Sequence, residues 1–483
     1  MNEPAPSDVG RTLIRHASMA TLATLADADG PEPRPYGSLV LVACDHDASP
    51  ILLLSDLAEH SRNIAACERV SLLIDGTGGE PTAAAAFLVE DGRFTWVGQE
   101  GARRAPEGAD RVDLRGKTVI PALIDAHQHI GLTNVKNGTT GQEQYTRANL
   151  NEHLDRFAYH GVAATMSLGL EADEGLAFAL RDEPRPRTAR FLTSGRGIAA
   201  TPMAGPQQPY RLGIPRGAAG PADGRAAVQE LRSHGVDLVK IWVDDRSGAV
   251  PKLGPDVYRA IIDEAHTHGL RVVAHVGTTS ALEDAKDLLR AGIDGFAHTV
   301  RDRDVDDEYL ALVRARPTVW TIPNLPGSPV TATDLPWLRE TLPPFEIDAL
   351  RQQAERLVAE GPGALFDLQC RNLARNREAG MIIGMGTDSG TSVAWTTHTE
   401  LRDMVSCGLS PMEALVAATR TNAELVGLDD LGMVTTGRSA SFVVLDADPL
   451  ADINNTRRIS DVYLQGLQVD RGTLKAGFQT GAP

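Results

Sequence analysis

An α/β chain built on a (β/α)8 barrel is the fold this sequence predicts, and three observations carry that prediction. From about residue 80 onward, short apolar β-rich runs alternate with amphipathic helical stretches, as repeated βα units require. The runs number eight: TVIPALIDAHQH, GVAATMSLG, ARFLTSG, VDLVKIWVDD, RVVAHV, GFAHTV, TVWTIPNL and MIIGMGTDSG. Polar and ionisable residues gather towards their C-terminal ends, where such a barrel keeps its active site. The helices between them, such as DVYRAIIDEAHTHG and SALEDAKDLLRAG, close on glycine as helix C-termini do.

The elements divide in order. Within residues 1–70, GRTLIRHA reads as a helix, MATLATLAD and YGSLVLVAC with ILLLSD as strands around a DADG turn, and LAEHSRNIAACE as an amphipathic helix. This run resembles the first half of a flavin-binding split barrel of the pyridoxamine-phosphate-oxidase type, an α+β segment too short to close that barrel, so bound flavin is not expected. Residues 71–120 hold AAAAFLVEDGRFTWVGQ, with the turn signal Asp91-Gly92, and read as the first part of a small β-sandwich. Residues 121–425 form the barrel. SASFVVLDADPL and RRISDVYLQGLQVDRG, within 426–470, supply the second part of the sandwich, so that one small sheet is built from both flanks. Residues 471–483 read as a tail.

Composition limits the function. The formal charge of −17 disfavours a nucleic-acid backbone or an anionic membrane surface as partner. No apolar run approaches the length of a membrane span, and MNEPAPSDVG is unlike a signal peptide. Cys44, Cys67, Cys370 and Cys407 show no CxxC spacing and read as reduced packing residues of a cytoplasmic protein.

Lys240 raises the central question. It stands among Val, Leu, Ile and Trp in GVDLVKIWVDD, a run buried on both faces, and only six of the 47 basic residues are lysines. An ammonium there costs several kcal/mol unless it is neutralised or paired. An ion pair with Asp244 or Asp245 is one answer. The neighbouring strand ends suggest another. Strand 1 ends in His127-Gln128-His129, two imidazoles on one face because side chains alternate. Strand 5 carries His275, strand 6 His298 and strand 8 Asp388. Imidazoles and a carboxylate converging at a barrel mouth suit zinc or a similar divalent ion.

VIPALIDAHQH, VDLVKI, AHV, GFAHT and GTDSG followed by HTEL, with GLSPMEALVAATRTNAELVGL and GRSASFVVLDADPL behind them, resemble in order the motifs of the metal-dependent amidohydrolase superfamily. The resemblance covers about residues 70–470, with Ala122 in place of the usual glycine of the first motif. It implies the binuclear branch, in which the strand-4 lysine reacts with carbon dioxide to give a carbamate. His127, His129 and Asp388 would hold one ion and His275 and His298 the other, with carboxylated Lys240 between them. The two ions, zinc or alternatively manganese, cobalt or iron, would share a hydroxide, and Asp388 would shuttle its proton to the leaving nitrogen.

The function expected is hydrolysis of a C–N bond in an amide, carbamate or urea. The alternatives are a mononuclear deaminase-like or ester/lactone hydrolase on the same barrel, and a flavin- or haem-associated binding module. Trp242, Asp245, Arg246, Trp320 and His398 are candidates for substrate contact or for orienting the ligands. His266 and His268 read as helix-surface residues. The long loops after strands 3 and 7, with Tyr210, Trp337 and Phe345, suggest a neutral, partly aromatic small molecule as substrate. A homo-oligomer is expected.

Overall fold

The computed structural model describes residues 19–26, 34–44, 50–53, 72–202, 205–325, 330–360 and 363–479. Two compact units result, residues 1–71 with 112–116 and the remainder. In the first unit, β1 (Met19–Ala26), β2 (Arg34–Cys44) and β3 (Pro50–Leu53) form an antiparallel sheet in that order, with Met19 opposite Leu41 and Ala26 opposite Arg34. The DADG turn expected between β1 and β2 lies outside the described residues. The helices expected at GRTLIRHA and LAEHSRNIAACE lie outside the described residues.

The second unit opens with a mixed sheet drawn from both flanks of the chain. Its strands are β4 (Leu72–Leu73), β5 (Thr82–Ala83), β8 (Thr118–Pro121), β19 (Phe442–Leu445), β20 (Ile459–Leu464) and β21 (Leu467–Gln468), in the order β21-β20-β19-β8-β4-β5. A separate hairpin, β6 (Ala85–Glu90) and β7 (Arg93–Gln99), turns at Asp91 and Gly92, whose φ values of 49° and 74° suit the twist of a tight hairpin. Phe87 and Phe94 of the hairpin meet Phe442 at ring-centroid distances of 5.0 and 5.8 Å, which is how hairpin and sheet share a core.

Parallel strands follow. The first sheet orders β11 (Arg190–Thr193), β10 (Val162–Ser167) and β9 (Leu123–Gln128). The second orders β13 (Arg216–Ala218), β12 (Ile198–Ala200), β14 (Val239–Val243), β15 (Val272–Val276), β16 (Gly295–Phe296), β17 (Trp320–Thr321) and β18 (Ile382–Ile383). Hydrogen bonds from Ala126 to Met385 and from Asp388 to His127 join β9 to the segment after β18. Asp237 bonds Thr193 at the end of β11. Helices 147–159, 221–233, 255–267 and 281–291 run between strands, and their buried apolar faces fill the layer around the sheets.

Four readings need correction. TVIPALIDAHQH is two strands, not one: Pro121 has no N–H, the Ala122 N–H turns to Ser441 of the flank sheet, and the Leu123 N–H turns to Gly161. The Pro- and Gly-rich loop after β11 contains β12 and β13, three buried or half-buried residues each, too short to show a period. The tail is a helix, Arg471–Gln479, capped by the Asp470 carboxylate on the Thr473 N–H and anchored by buried Phe478. Cys370 and Cys407 form a disulfide with Cα atoms 4.6 Å apart, so the reading of all four cysteines as reduced is wrong, and the cytoplasmic location loses that support. Folding of helix 364–378 against the end of helix 396–406 makes that pairing, which sequence spacing cannot show. Among the described residues no helix is long and apolar enough to cross a membrane.

Candidate metal centre

β9 delivers the first candidate ligands. Alternation along the strand turns His127 and His129 to one face, and both are buried. Asp125, one further alternation back, accepts hydrogen bonds from Gln128 (2.6 Å), the Thr387 hydroxyl (3.0 Å) and the Thr397 hydroxyl (3.1 Å). This fully buried carboxylate ties β9 to the segment that carries Asp388, and burial raises its pKa to about 6. Gly386 lets that segment approach: a Cβ there would stand 2.7 Å from the His127 nitrogen. Asp388 has φ of 50°, and its N–H donates to the His127 carbonyl at 2.8 Å. The turn is one that aspartate tolerates, and it points the carboxylate back over the histidines.

The result is a convergence. Asp388 Oδ1 lies 3.0 Å from His129 Nε2 and 3.3 Å from His127 Nε2, and its Oδ2 lies 3.7 Å from His298 Nε2. His298 Nε2 is 3.0 Å from His275 Nδ1. The far nitrogen of each strand-1 ring faces a carbonyl: His127 Nδ1 is 3.2 Å from Ala297 O, and His129 Nδ1 is 3.3 Å from Gly169 O. With the proton on Nδ1, both Nε2 lone pairs aim at the same carboxylate oxygen, and His127 Nε2 finds no hydrogen-bond partner. His127, His129 and Asp388 bring their ligand atoms within 4.8 Å of one another. Two lone pairs and an anion aimed at one point fit a cation.

Burial also sets the charge state. It holds all four imidazoles below their ordinary value, His275 at about 3, so each is neutral at neutral pH. For Asp388, burial alone would raise the pKa. Positive charge on the adjacent His127, His129 and His298 acts against burial and pulls the carboxyl well below its usual range. Lys240 is fully buried on β14, and among the described residues its Nζ meets no hydrogen-bond partner. Burial lowers its pKa to about 7 against the attraction of Asp388.

The ion-pair alternative for Lys240 is not what the structure contains. Asp244 is engaged elsewhere, 3.2 Å from His275 Nε2 and 2.9 Å from Arg246 Nη1, and its carboxylate thereby orients His275. Asp245 is half-buried on the loop after β14, with no ion pair to Lys240. Trp242 is buried beneath the centre, with the Lys240 ammonium 5.6 Å from its ring centroid, and Trp320 is buried against Gly295. Neither tryptophan is exposed enough to serve as an open substrate wall. His398 needs correction. It is buried in helix 396–406, with Nε2 2.9 Å from His160 O and Nδ1 3.1 Å from the Thr456 hydroxyl, so both nitrogens are used in packing. His266 pairs with Asp294 and His268 with Glu264 on the helix surface.

Several residues at the centre were not legible as site residues. Asn324, with φ of 45°, places its side-chain nitrogen 2.7 Å from His127 Nδ1 and 3.3 Å from His298 Nδ1. Arg301 reaches His298 Nδ1 at 3.5 Å and donates to Val276 O at 3.3 Å. Asp125 offered a signal, since it sits two residues before His127 in the same run. Asn324 and Arg301 stand in loops and offered none.

Glu171, on the loop after β10, supplies a pH test. It is buried, accepts from the Thr193 hydroxyl at 2.6 Å, and burial raises its pKa from 4.5 to about 8. The native state therefore binds this proton more tightly than the unfolded chain. The contribution to stability is full below about pH 4.5 and is lost as pH rises through about 8. Thermal unfolding of Glu171→Gln should show less loss of stability between pH 5 and 8 than wild type, with a difference on the order of a few kcal/mol. Parallel pH profiles of the two proteins would contradict this.

Comparison with known proteins agrees with the fold. The profile of the Amidohydrolase family matches residues 118–469, well over half of the chain. An imidazolonepropionase from Cereibacter sphaeroides is 27% identical over 407 residues, covering 80% of this chain and 94% of that protein. Among solved structures, molinate hydrolase superposes with a TM-score of 0.66 at 23% identity, covering 84% of this chain and 94% of its own. A Xaa-Pro dipeptidase with bound methionine superposes with a TM-score of 0.64 at 22% identity, covering 83% and 98%. At those identities the structural likeness speaks for the fold, which in these neighbours is barrel-like. Parallel strands that carry histidines and an aspartate to one point, under a family profile spanning residues 118–469, place this chain in the Amidohydrolase family, as a hydrolase of C–N bonds.

Proposed function

We propose that the protein hydrolyses an amide, carbamate or urea bond at a two-metal centre held by His127, His129, Lys240, His275, His298 and Asp388, with its parallel strands forming one (β/α)8 barrel. The observation that carries this is the Lys240 amine, fully buried and without a partner beside converging histidines. A buried amine that escapes protonation can add to carbon dioxide, losing one proton and becoming a carbamate anion. The burial penalty of a cation is then replaced by an oxygen ligand between two sites. Divalent ions, zinc first and manganese, cobalt or iron as alternatives, would supply there a polarised carbonyl and a water acidic enough to attack at neutral pH. Asp388 takes the proton of the attacking water and passes it to the leaving nitrogen, and its place against His127 and His129 suits both transfers. Asp125 holds the two halves of the centre in register, and Asp244 fixes the tautomer of His275. The substrate is a small molecule, and the expected assembly is a homo-oligomer.

A mononuclear centre is the second reading. It is favoured by one observation: among the described residues the group of three carboxylate and histidine ligands within 4.8 Å is His127, His129 and Asp388. Elemental analysis of the purified protein separates the two. Two ions per chain, with turnover of amides, ureas or carbamates in preference to matched esters, is the expected result. One ion per chain, or a preference for esters, would overturn the two-metal C–N reading.

A further inference from the structure

The loop after β12 places one guanidinium at the centre with nothing to hold. Arg211 ends the short turn Pro209–Arg211, and its side chain forms no hydrogen bond or ion pair among the described residues. Its Nε is fully buried while the side chain as a whole is half-buried. The head lies against Gly390, two residues beyond Asp388: a methyl group at Gly390 would collide with Arg211 Nη2 and stand 3.3 Å from the His129 carbonyl. The loop around it is fixed. Gln142 donates to Leu212 O at 3.0 Å, and Arg196 donates to Gly213 O at 3.2 Å. Arg211 Cζ also lies 5.3 Å from the Tyr210 ring centroid.

Other inward-facing arginines among the described residues meet either carboxylates, as Arg156 meets Glu152 at 2.7 Å, Arg190 meets Asp430 at 2.6 Å and Arg246 meets Asp244 at 2.9 Å, or backbone carbonyls, as Arg301 and Arg316 do. A protein with a net charge of −17 has acidic residues to spare, yet among the described residues none pairs with Arg211. Leaving a partly desolvated guanidinium unpaired is costly unless a ligand completes it. Its planar fork matches two oxygens of a carboxylate.

We propose that Arg211 binds a free carboxylate of the substrate, so that the compounds hydrolysed are amides or related C–N compounds bearing an acid group, in place of the neutral molecule that the loop aromatics suggest. This rests on the metal-centre reading above for the bond that is cleaved, and on Arg211 alone for the anion.

Two arms test it on the full-length, metal-loaded protein. The first compares kcat/KM for N-acyl amino acids and for half-amides of dicarboxylic acids with kcat/KM for the methyl ester of each. Wild type should favour the free acids. Arg211→Met should lower kcat/KM for the acid at least tenfold more than for its ester, with a loss on the acid of roughly 100-fold. Arg211→Lys should restore part of it. Equal losses on acid and ester, or a wild-type preference for esters, would overturn the assignment. The second arm is calorimetric titration with glutarate and with N-acetylalanine, which needs no turnover. Binding at least tenfold weaker in Arg211→Met supports the anion site, whereas no binding to wild type, or equal binding to both, overturns it. If neither acid nor ester is hydrolysed while glutarate binding still depends on Arg211, the C–N reading fails and the anion site stands.

Discussion

Lys240→Ala should lose one or both metal ions and lower turnover by roughly 10³-fold or more, since the two sites would lack the anionic oxygen they share. The metal-free variant should still fold. Lys240 makes no ion pair that truncation would break, and Asp244 keeps His275 and Arg246 as its partners. Lys240→Glu should regain part of the metal, because a carboxylate brings an oxygen to nearly the same place. Acetate or propionate added to Lys240→Ala should restore some turnover by filling the vacated space. The deciding measurement is metal per folded chain, by elemental analysis beside a thermal melt. Two ions and normal turnover in Lys240→Ala would end the bridging role. A variant that melts far below wild type in the metal-free state would point instead to a structural lysine.

Asp388→Asn carries the second large effect. An amide keeps the size of the side chain but neither accepts a proton nor offers the anionic oxygen that His127 and His129 face at 3.3 and 3.0 Å. Turnover should fall by roughly 10²–10⁴-fold, the usual worth of a positioned acid–base group, while His127, His129, His275, His298 and Lys240 retain much of the metal. Because the proton shuttle is what is lost, kcat should fall more than KM changes, and the acidic limb of the pH–rate profile should disappear. Near wild-type kcat in a variant with normal metal content would remove Asp388 from the chemistry.

The sequence and the tertiary structure answer different questions about this protein. Strand periodicity, strand-end histidines and a lysine in an apolar run depend on local spacing alone, because alternation along a strand decides which side chains share a face. The order of residues therefore suffices to propose His127, His129, Lys240, His275, His298 and Asp388 as candidate ligands, and to join both flanks in one sheet. What spacing does not encode is contact across distant segments. The division of TVIPALIDAHQH between two sheets depends on where the amides of Ala122 and Leu123 find acceptors, at Ser441 and Gly161. The disulfide joins positions 37 residues apart on different helices. His398 looks free in the sequence and is tied to His160 and Thr456 only once helix 396–406 packs.

The same division runs through the centre itself. The residue types of the ligands are set by the sequence, but their state is a product of the fold. Burial neutralises the imidazoles and leaves the Lys240 amine without a partner, and neither follows from composition. Asp125, Asn324 and Arg301 acquire their places beside the ligands only when strands β9, β15, β16 and β17 bring their ends together. Arg211 is the clearest case. In the sequence it is one basic residue in a loop rich in proline and glycine, and the fold brings its head against Gly390, on the segment that carries Asp388. The sequence by itself determined the βα plan and the residue types at the strand ends. The tertiary structure alone decided which polar groups are paired and which are left open, because pairing is a matter of distance and desolvation rather than of order along the chain.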